Sequence, residues 1–286
     1  MRILITGAAG VIGKALHVYL HNNGHHIIAV DLVDSYDVIR LDLRNKTEVV
    51  HFIEKHSPRS IIHLAAIKDL VFCEQHKKMT HNTNYAVTET IVNICLKFNI
   101  HLIFFSSDYV FGHSEQAWRE TDTPCPNTQY GKDKAACEQL IQQKLSHYAI
   151  IRTAQLYGFT GDFIDLVRTA LNSQQRFQAF SNLVNCPTWI KDMLIMLNKI
   201  IQPQHNGIFH CVGLQAMSRY QYACEIAKAL ALDTAYIQAV ELDFKQDIRP
   251  SIVHLDGAAT YAKLQYYPKT LQHNLRCLSL NQQNRK

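Results

Sequence analysis

Ser107, Tyr130 and Lys134 are residue types that can act together on a carbonyl group. A tyrosine hydroxyl is a weak acid, with an ordinary pKa of about 10, and needs a nearby cation to yield its proton near neutrality. Lys134 follows Tyr130 at i+4, on the same face of a helix, where its charge favours the phenolate and its ammonium can also hold a ribose. Ser107 would donate a hydrogen bond to the carbonyl oxygen, where negative charge grows, while Tyr130 delivers a proton. Tyr-x-x-x-Lys alone is a weak signal in a chain with 13 tyrosines, but Tyr130 is the only one with a lysine four residues on. The set reads as a hydride-transfer site.

A hydride donor needs a cradle, and the first 31 residues have the pattern of one. Arg2-Ile3-Leu4-Ile5 reads as an apolar strand, Thr6-Gly7-Ala8-Ala9-Gly10-Val11-Ile12-Gly13 as a glycine-rich turn, and Asp31 as the end of a second strand. A helix that starts at such a turn offers backbone N–H groups and the positive end of its dipole to a pyrophosphate. Asp31 can accept from both adenosine ribose hydroxyls, and its charge would repel a 2′-phosphate, so NAD is favoured over NADP.

The elements that must position these residues follow from periodicity. Apolar runs at 2–6, 26–30, 37–41, 60–64, 100–106 and 148–153 predict strands, and helical spacing predicts helices over 11–22, 46–56, 82–98 and 130–145. Their alternation predicts an α/β fold, a Rossmann-type doubly wound parallel sheet. Ligands of such sheets bind beyond the carboxyl ends of the strands, where the glycine turn, Ala65-Ala66, Ser107 and the segment after Arg152 all fall. Beyond about residue 155 the alternation decays into helices at 162–172, 189–201 and 218–230 with a strand-like run at 208–212. The expected domains are 1–155, binding the cofactor, and a smaller C-terminal lobe over 156–286, mainly for substrate, with 207–213 returning to the sheet.

Composition narrows the function classes. A net charge of +5, without a basic run interleaved with aromatics, argues against a nucleic-acid partner. The eight cysteines form no Cys-x-x-Cys pair and the sixteen histidines no metal-ligand spacing, so neither a metal site nor a redox motif is expected. No apolar run approaches the length of a membrane span, and a cytoplasmic location is expected, with a homodimer as the candidate assembly. The polar tail 281–286 is expected to fray.

With these residues in place, the chain resembles the extended short-chain dehydrogenase/reductase superfamily, and within it the dTDP-4-dehydrorhamnose reductase branch. The likeness is carried by the glycine turn, His63-Leu64-Ala65-Ala66, Asn84 with Thr88, Ser107-Asp108-Tyr109-Val110-Phe111, Glu120-Thr121-Asp122, Tyr130-Gly131-Lys132-Asp133-Lys134, Arg152-Thr153 with Tyr157-Gly158, Pro187-Thr188, and Arg249-Pro250 with Leu255-Asp256. The resemblance implies NAD(P)H-dependent reduction of a 4-keto-6-deoxysugar carried on a nucleoside diphosphate. The residues expected at the cofactor are Gly7, Ala9, Gly10, Val11, Ile12, Gly13, Asp31, Asp42, Leu43, Leu64, Ala65, Ala66, Lys68, Asn84, Tyr130 and Lys134; those expected at the substrate are Ser107, Asp108, Tyr109, Gln155 and Arg249.

Single positions separate this branch from its relatives. Sugar-nucleotide dehydratases place an Asp-Glu pair after the catalytic hydroxyl, where this chain has Asp108-Tyr109; fucose-forming epimerase-reductases have cysteine in place of Asp108. The branch usually has Ser-Trp-Val-Tyr-Gly after Arg-Thr, and this chain has Ala154-Gln155-Leu156-Tyr157-Gly158, which would turn stacking on the sugar into hydrogen bonding. Two further departures are Leu70-Val71 for Val-Asp before Cys73-Glu74, and Asp162-Phe163 for Asn-Phe. Two alternatives stay open: another sugar-nucleotide epimerase or oxidoreductase, and a non-catalytic NAD(P)-binding regulatory subunit resembling the methionine adenosyltransferase β subunit, whose Arg-Pro-x-x-x-x-Leu-Asp pattern is similar to Arg249 through Asp256.

Overall fold

The unbroken apolar run Ile3-Leu4-Ile5 is fully buried, as a strand covered on both faces must be, and it forms an interior strand of a seven-stranded sheet. In the computed structural model, which describes residues 1–35, 37–201 and 205–283, the chain begins β1 (Arg2–Thr6), α1 (Val11–Asn22), β2 (His26–Asp31), β3 (Ile39–Arg40), α2 (Lys46–His56) and β4 (Ser60–His63). It continues α3 (Leu70–Gln75), α4 (Lys77–His81), α5 (Val87–Phe98), β5 (His101–Phe105), α6 (Gln129–Lys144) and β6 (Tyr148–Arg152). The sheet order is β6-β5-β4-β1-β2-β3, every pair parallel, with the strand Gly207–His210 beyond β6. The order reverses between β1 and β4, which is where ligands of doubly wound sheets bind. Thr6 is in register with His63 across that pair, so Gly7 and Leu64 leave the sheet side by side. Leu4, Val30, Ile61 and Phe104 from the strands pack with Ile53 of α2, Ile91 of α5 and Ile141 of α6 in one buried cluster.

Four local expectations are corrected. The strand expected over 37–41 shrinks to Ile39–Arg40 because Asp37 has φ 63, a left-handed turn conformation incompatible with extended backbone. The helix expected over 82–98 opens with a π-helical turn, Asn82–Ala86, before α5. The strand expected at 208–212 is Gly207–His210. Of the tail expected to fray, 281–283 continue the helix Leu271–Gln283, and 284–286 lie outside the described residues. The short helices α3 and α4 were not legible, being six and five residues long and too brief to show a period.

The chain forms two compact units that interleave in sequence: 1–110, 124–152 and 197–209 in the first, 111–123, 153–196 and 210–286 in the second. The second holds the helices Phe163–Asn172, Arg219–Ala229, Ala258–Leu264 and Leu271–Gln283 and three two-stranded sheets. Its helix Arg219–Ala229 starts at a reciprocal capping box, Ser218 with Gln221, which satisfies two otherwise orphaned N–H groups. Among the described residues no helix is long and apolar enough to cross a membrane.

Candidate active site

Within the first unit, a cavity of about 410 Å³ opens at the β1/β4 reversal. Gly7, Gly10, Val11, Ile12, Gly13, Asp31, Asp42, Leu43, Leu64, Ala65, Ala66 and Lys68 all line it. Gly7 is required there: its φ is +69, and a β-carbon would stand 2.8 Å from the Ala65 amide nitrogen. The cradle therefore exists only because side chains are missing from it. Helix α1 starts at Gly10 with no side-chain cap and no acidic residue in its first turn, so its end keeps the N–H groups and positive potential that an anion seeks.

Asp31 does more than line the cavity. One carboxylate oxygen accepts from the Ala9 N–H at 2.9 Å and the other from the Leu32 N–H at 2.7 Å, so the side chain braces the glycine turn against the end of β2. Ala9 is thus tied to the site through Asp31, not as lining. Asp42 is held by Arg44 in a two-pronged pair, which keeps its carboxyl below the usual range.

Asn84 also acts from behind the wall. The π-helical turn buries its side chain, whose carbonyl accepts from the Ile67 N–H at 2.8 Å and whose amide donates to the Ile67 carbonyl at 2.9 Å. Thr88 donates its hydroxyl proton to the backbone carbonyl of Asn84, so His63 Nε2–H donates to Thr88 Oγ1 and Nδ1 accepts from Thr6. His63 is neutral in this relay: burial, and then the Lys134 charge, pull it down to about 3.

Three contacts place α6, the helix that carries Tyr130 and Lys134. Thr128 caps α6 by accepting from Gly131 N–H at 3.0 Å, Glu74 of α3 accepts from Gln129 N–H at 2.6 Å, and His81 of α4 meets Asp133 at 2.9 Å. Lys134 donates to the Phe105 carbonyl at 2.6 Å, at the end of β5, and lies 5.9 Å from the Tyr130 ring centre. The Tyr130 ring meets that of Tyr109 edge-on at 6.2 Å. Lys134 and Tyr130 are therefore anchored on residues that flank Ser107 in sequence. Burial pushes the Tyr130 hydroxyl well above its ordinary value, with Asp108 adding to it, while burial pulls Lys134 down to about 8. Tyr130 is thus protonated and a weaker acid than a free tyrosine, opposite to the shift expected from the lysine at i+4, because burial outweighs it. Ser107 donates to Asp108 at 2.8 Å and accepts from the Tyr109 N–H at 3.2 Å.

The remaining expected residues belong to the second unit. Both polar atoms of the Gln155 amide are shielded from solvent and have no hydrogen-bond partner among the described residues. Arg249 is engaged by Asp247 through two bonds of 2.8 and 2.7 Å and lies 5.6 Å from the Phe180 ring. Leu32, Leu41, Arg44, Ile67, Met79, Thr83 and Val87 line the cavity without having been expected. For Ile67, Met79 and Thr83 the missing signal was the 67–83 segment, whose short helices bring them there.

Comparison with known proteins adds four findings. A family model described as RmlD substrate binding domain matches residues 1–280. Methionine adenosyltransferase 2 subunit beta of Xenopus laevis is 28% identical over 250 residues, covering 84% of this chain and 75% of that protein. The dTDP-4-dehydrorhamnose reductase of Aggregatibacter actinomycetemcomitans is 28% identical over 234 residues, covering 79% and 78%. The crystal structure of dTDP-4-dehydrorhamnose reductase from Bacillus anthracis, in complex with NADP, superposes with a TM-score of 0.85 at 22% identity, covering 98% of each chain.

Proposed function

Because the chain belongs to the RmlD substrate binding domain family, we propose that it is an NAD(P)H-dependent oxidoreductase that reduces the keto group of a nucleotide-linked 4-keto-6-deoxysugar. The observation that carries this reading is Tyr130 and Lys134 one turn apart on α6, anchored on Tyr109 and Phe105 around Ser107. Residues Gly7, Gly10, Val11, Ile12 and Gly13 would hold the pyrophosphate and Asp31 the adenosine ribose, in a cradle that a β-carbon at Gly7 would fill. A reduced nicotinamide, when bound, supplies hydride. Ser107 would hold the carbonyl oxygen, and Tyr130 gives that oxygen its proton as the carbon is reduced, so that C=O becomes CH–OH. Lys134, positively charged below about pH 8, stabilises the phenolate left behind.

Asp31 favours NAD by repelling a 2′-phosphate, whereas the Bacillus anthracis reductase holds NADP; titration with NADH and NADPH tests the preference. The first unit is proposed as the cofactor-binding domain, and the second as the substrate lobe, with Gln155 and Arg249 as substrate contacts. A cytoplasmic homodimer completes the proposal, tested by cell fractionation and light scattering. Tyr130→Phe is expected to abolish keto-sugar-dependent NADH oxidation while leaving nicotinamide binding within about twofold. Undiminished turnover in that variant overturns the assignment.

A second reading is favoured by the 28% identity to methionine adenosyltransferase 2 subunit beta. In it the chain binds NAD(P) and regulates a partner enzyme. Recovery of one stoichiometric enzyme in a pull-down, with no turnover across a panel of nucleotide-linked keto-sugars, selects this reading.

A further inference from the structure

Three basic residues stand in a row where the sheet begins. Arg2 opens β1 in register with His26 at the start of β2, and the N–H of Arg59, just ahead of β4, donates to the Arg2 carbonyl at 2.9 Å. Adjacent strands lie about 4.8 Å apart, so the row spans roughly 10 Å. The end of α2 adds Lys55 and His56, and all five residues line one concave surface of about 710 Å³, which also includes the buried Ile28. It lies at the amino ends of the strands, the opposite edge of the sheet from Gly7 and the cofactor cavity.

Nothing in the concavity answers this charge. No carboxylate lines it, although the chain has 24 acidic residues, and among the described residues none of the five is ion-paired. The crowding is felt at His56, which burial and then Lys55, Arg2 and His26 hold below the ordinary histidine value. The groups are also held in place: Arg2 donates to the His56 carbonyl at 2.6 Å, and the His56 ring packs on that of Phe52 at 4.2 Å. That bond covers the carbonyl end of α2, the part of the helix that would repel an anion. Like charges fixed side by side oppose one another until a ligand of opposite sign spans them. Arginines suit phosphoryl oxygens, which a planar guanidinium binds through paired N–H donors. A chain of linked phosphoryl groups can follow the row from strand to strand.

We propose that this concavity is a binding site for an oligophosphate, a small anion of two or more linked phosphoryl groups lying across Arg59, Arg2 and His26. The site is separate from the glycine cradle and requires neither reading of the function above.

The test is calorimetric titration of the whole protein, with NADH at saturation so that the glycine cradle is filled. Inorganic pyrophosphate is expected to bind at one equivalent, at least about tenfold more tightly than orthophosphate. Arg59→Ala and Arg2→Ala are each expected to weaken pyrophosphate binding on the order of tenfold, while leaving NADH affinity within about twofold. Arg59 is exposed, so its variant carries the test if Arg2→Ala, which also uncovers the His56 carbonyl, does not fold. Absence of saturable pyrophosphate binding, or equal affinity for pyrophosphate and orthophosphate, overturns the proposal. So does binding that both variants leave unchanged, because the anion then sits elsewhere.

Discussion

Gly131, in the first turn of α6, is packed directly against the Tyr109 carbonyl, with no room between them for a β-carbon. The contact sets how closely the helix carrying Tyr130 and Lys134 approaches the turn that follows Ser107. Gly131→Ala is therefore expected to push α6 outward and lower kcat on the order of 10²-fold, the usual cost of a misplacement near 1 Å. Affinity for NADH, measured by fluorescence, should fall far less, because the cavity lined by Gly7 and Asp31 does not include Gly131. Equal losses in both would show that the contact serves stability alone.

Asp31 accepts from Ala9 and Leu32 backbone N–H groups as well as facing the cavity. Asp31→Ala is expected to raise the Kd for NADH by about tenfold or more, since both a ribose acceptor and the brace of the glycine turn are lost. The NADH preference over NADPH should narrow, because the repulsion of a 2′-phosphate goes with the carboxylate. Titrations of both cofactors check this, and an unchanged ratio would remove the ribose role.

Lys134 is pulled down to about 8 by burial, below its ordinary 10.5. Between those values the unfolded chain binds more protons than the folded one, so the contribution of this group to stability rises with pH from about 8 to 10.5 and is unfavourable below that window. The size is roughly 3 kcal/mol by linkage. Lys134→Met should flatten the rise seen in urea unfolding over that range, while abolishing turnover. A slope that persists in the variant would assign it to other groups.

Arg152 and Glu138 form an ion pair that is 1% and 0% exposed, with a shortest distance of 2.7 Å. It ties the middle of α6 to the end of β6. Glu138→Gln leaves a buried guanidinium without its countercharge and is expected to cost about 3–5 kcal/mol in denaturant unfolding. A loss below about 1 kcal/mol would mean that water reaches the pair.

Much of the site was legible because its signals are local. The glycine turn, the strands β1, β2 and β4, and the i+4 spacing of Tyr130 and Lys134 are encoded in backbone preference and short-range periodicity, and the helix expected over 130–145 forms as Gln129–Lys144. Residues 70–81 were not legible: two short helices, the first capped by Asp69, leave no repeating face to detect.

The sequence by itself determined the fold class, the glycine cradle and which residue types are candidates for the chemistry, because each follows from neighbours a few positions apart. Tertiary structure alone decided how those residues are held. Glu74 reaches Gln129 across 55 residues, Asn84 pins Ile67 across 17, and His63 joins Thr6 to Thr88. It also decided that the Ser107 proton rests on Asp108. A hydroxyl or carboxylate has several partners within reach of its chemistry, and only the folded arrangement, by burying some and excluding water, selects the one it uses.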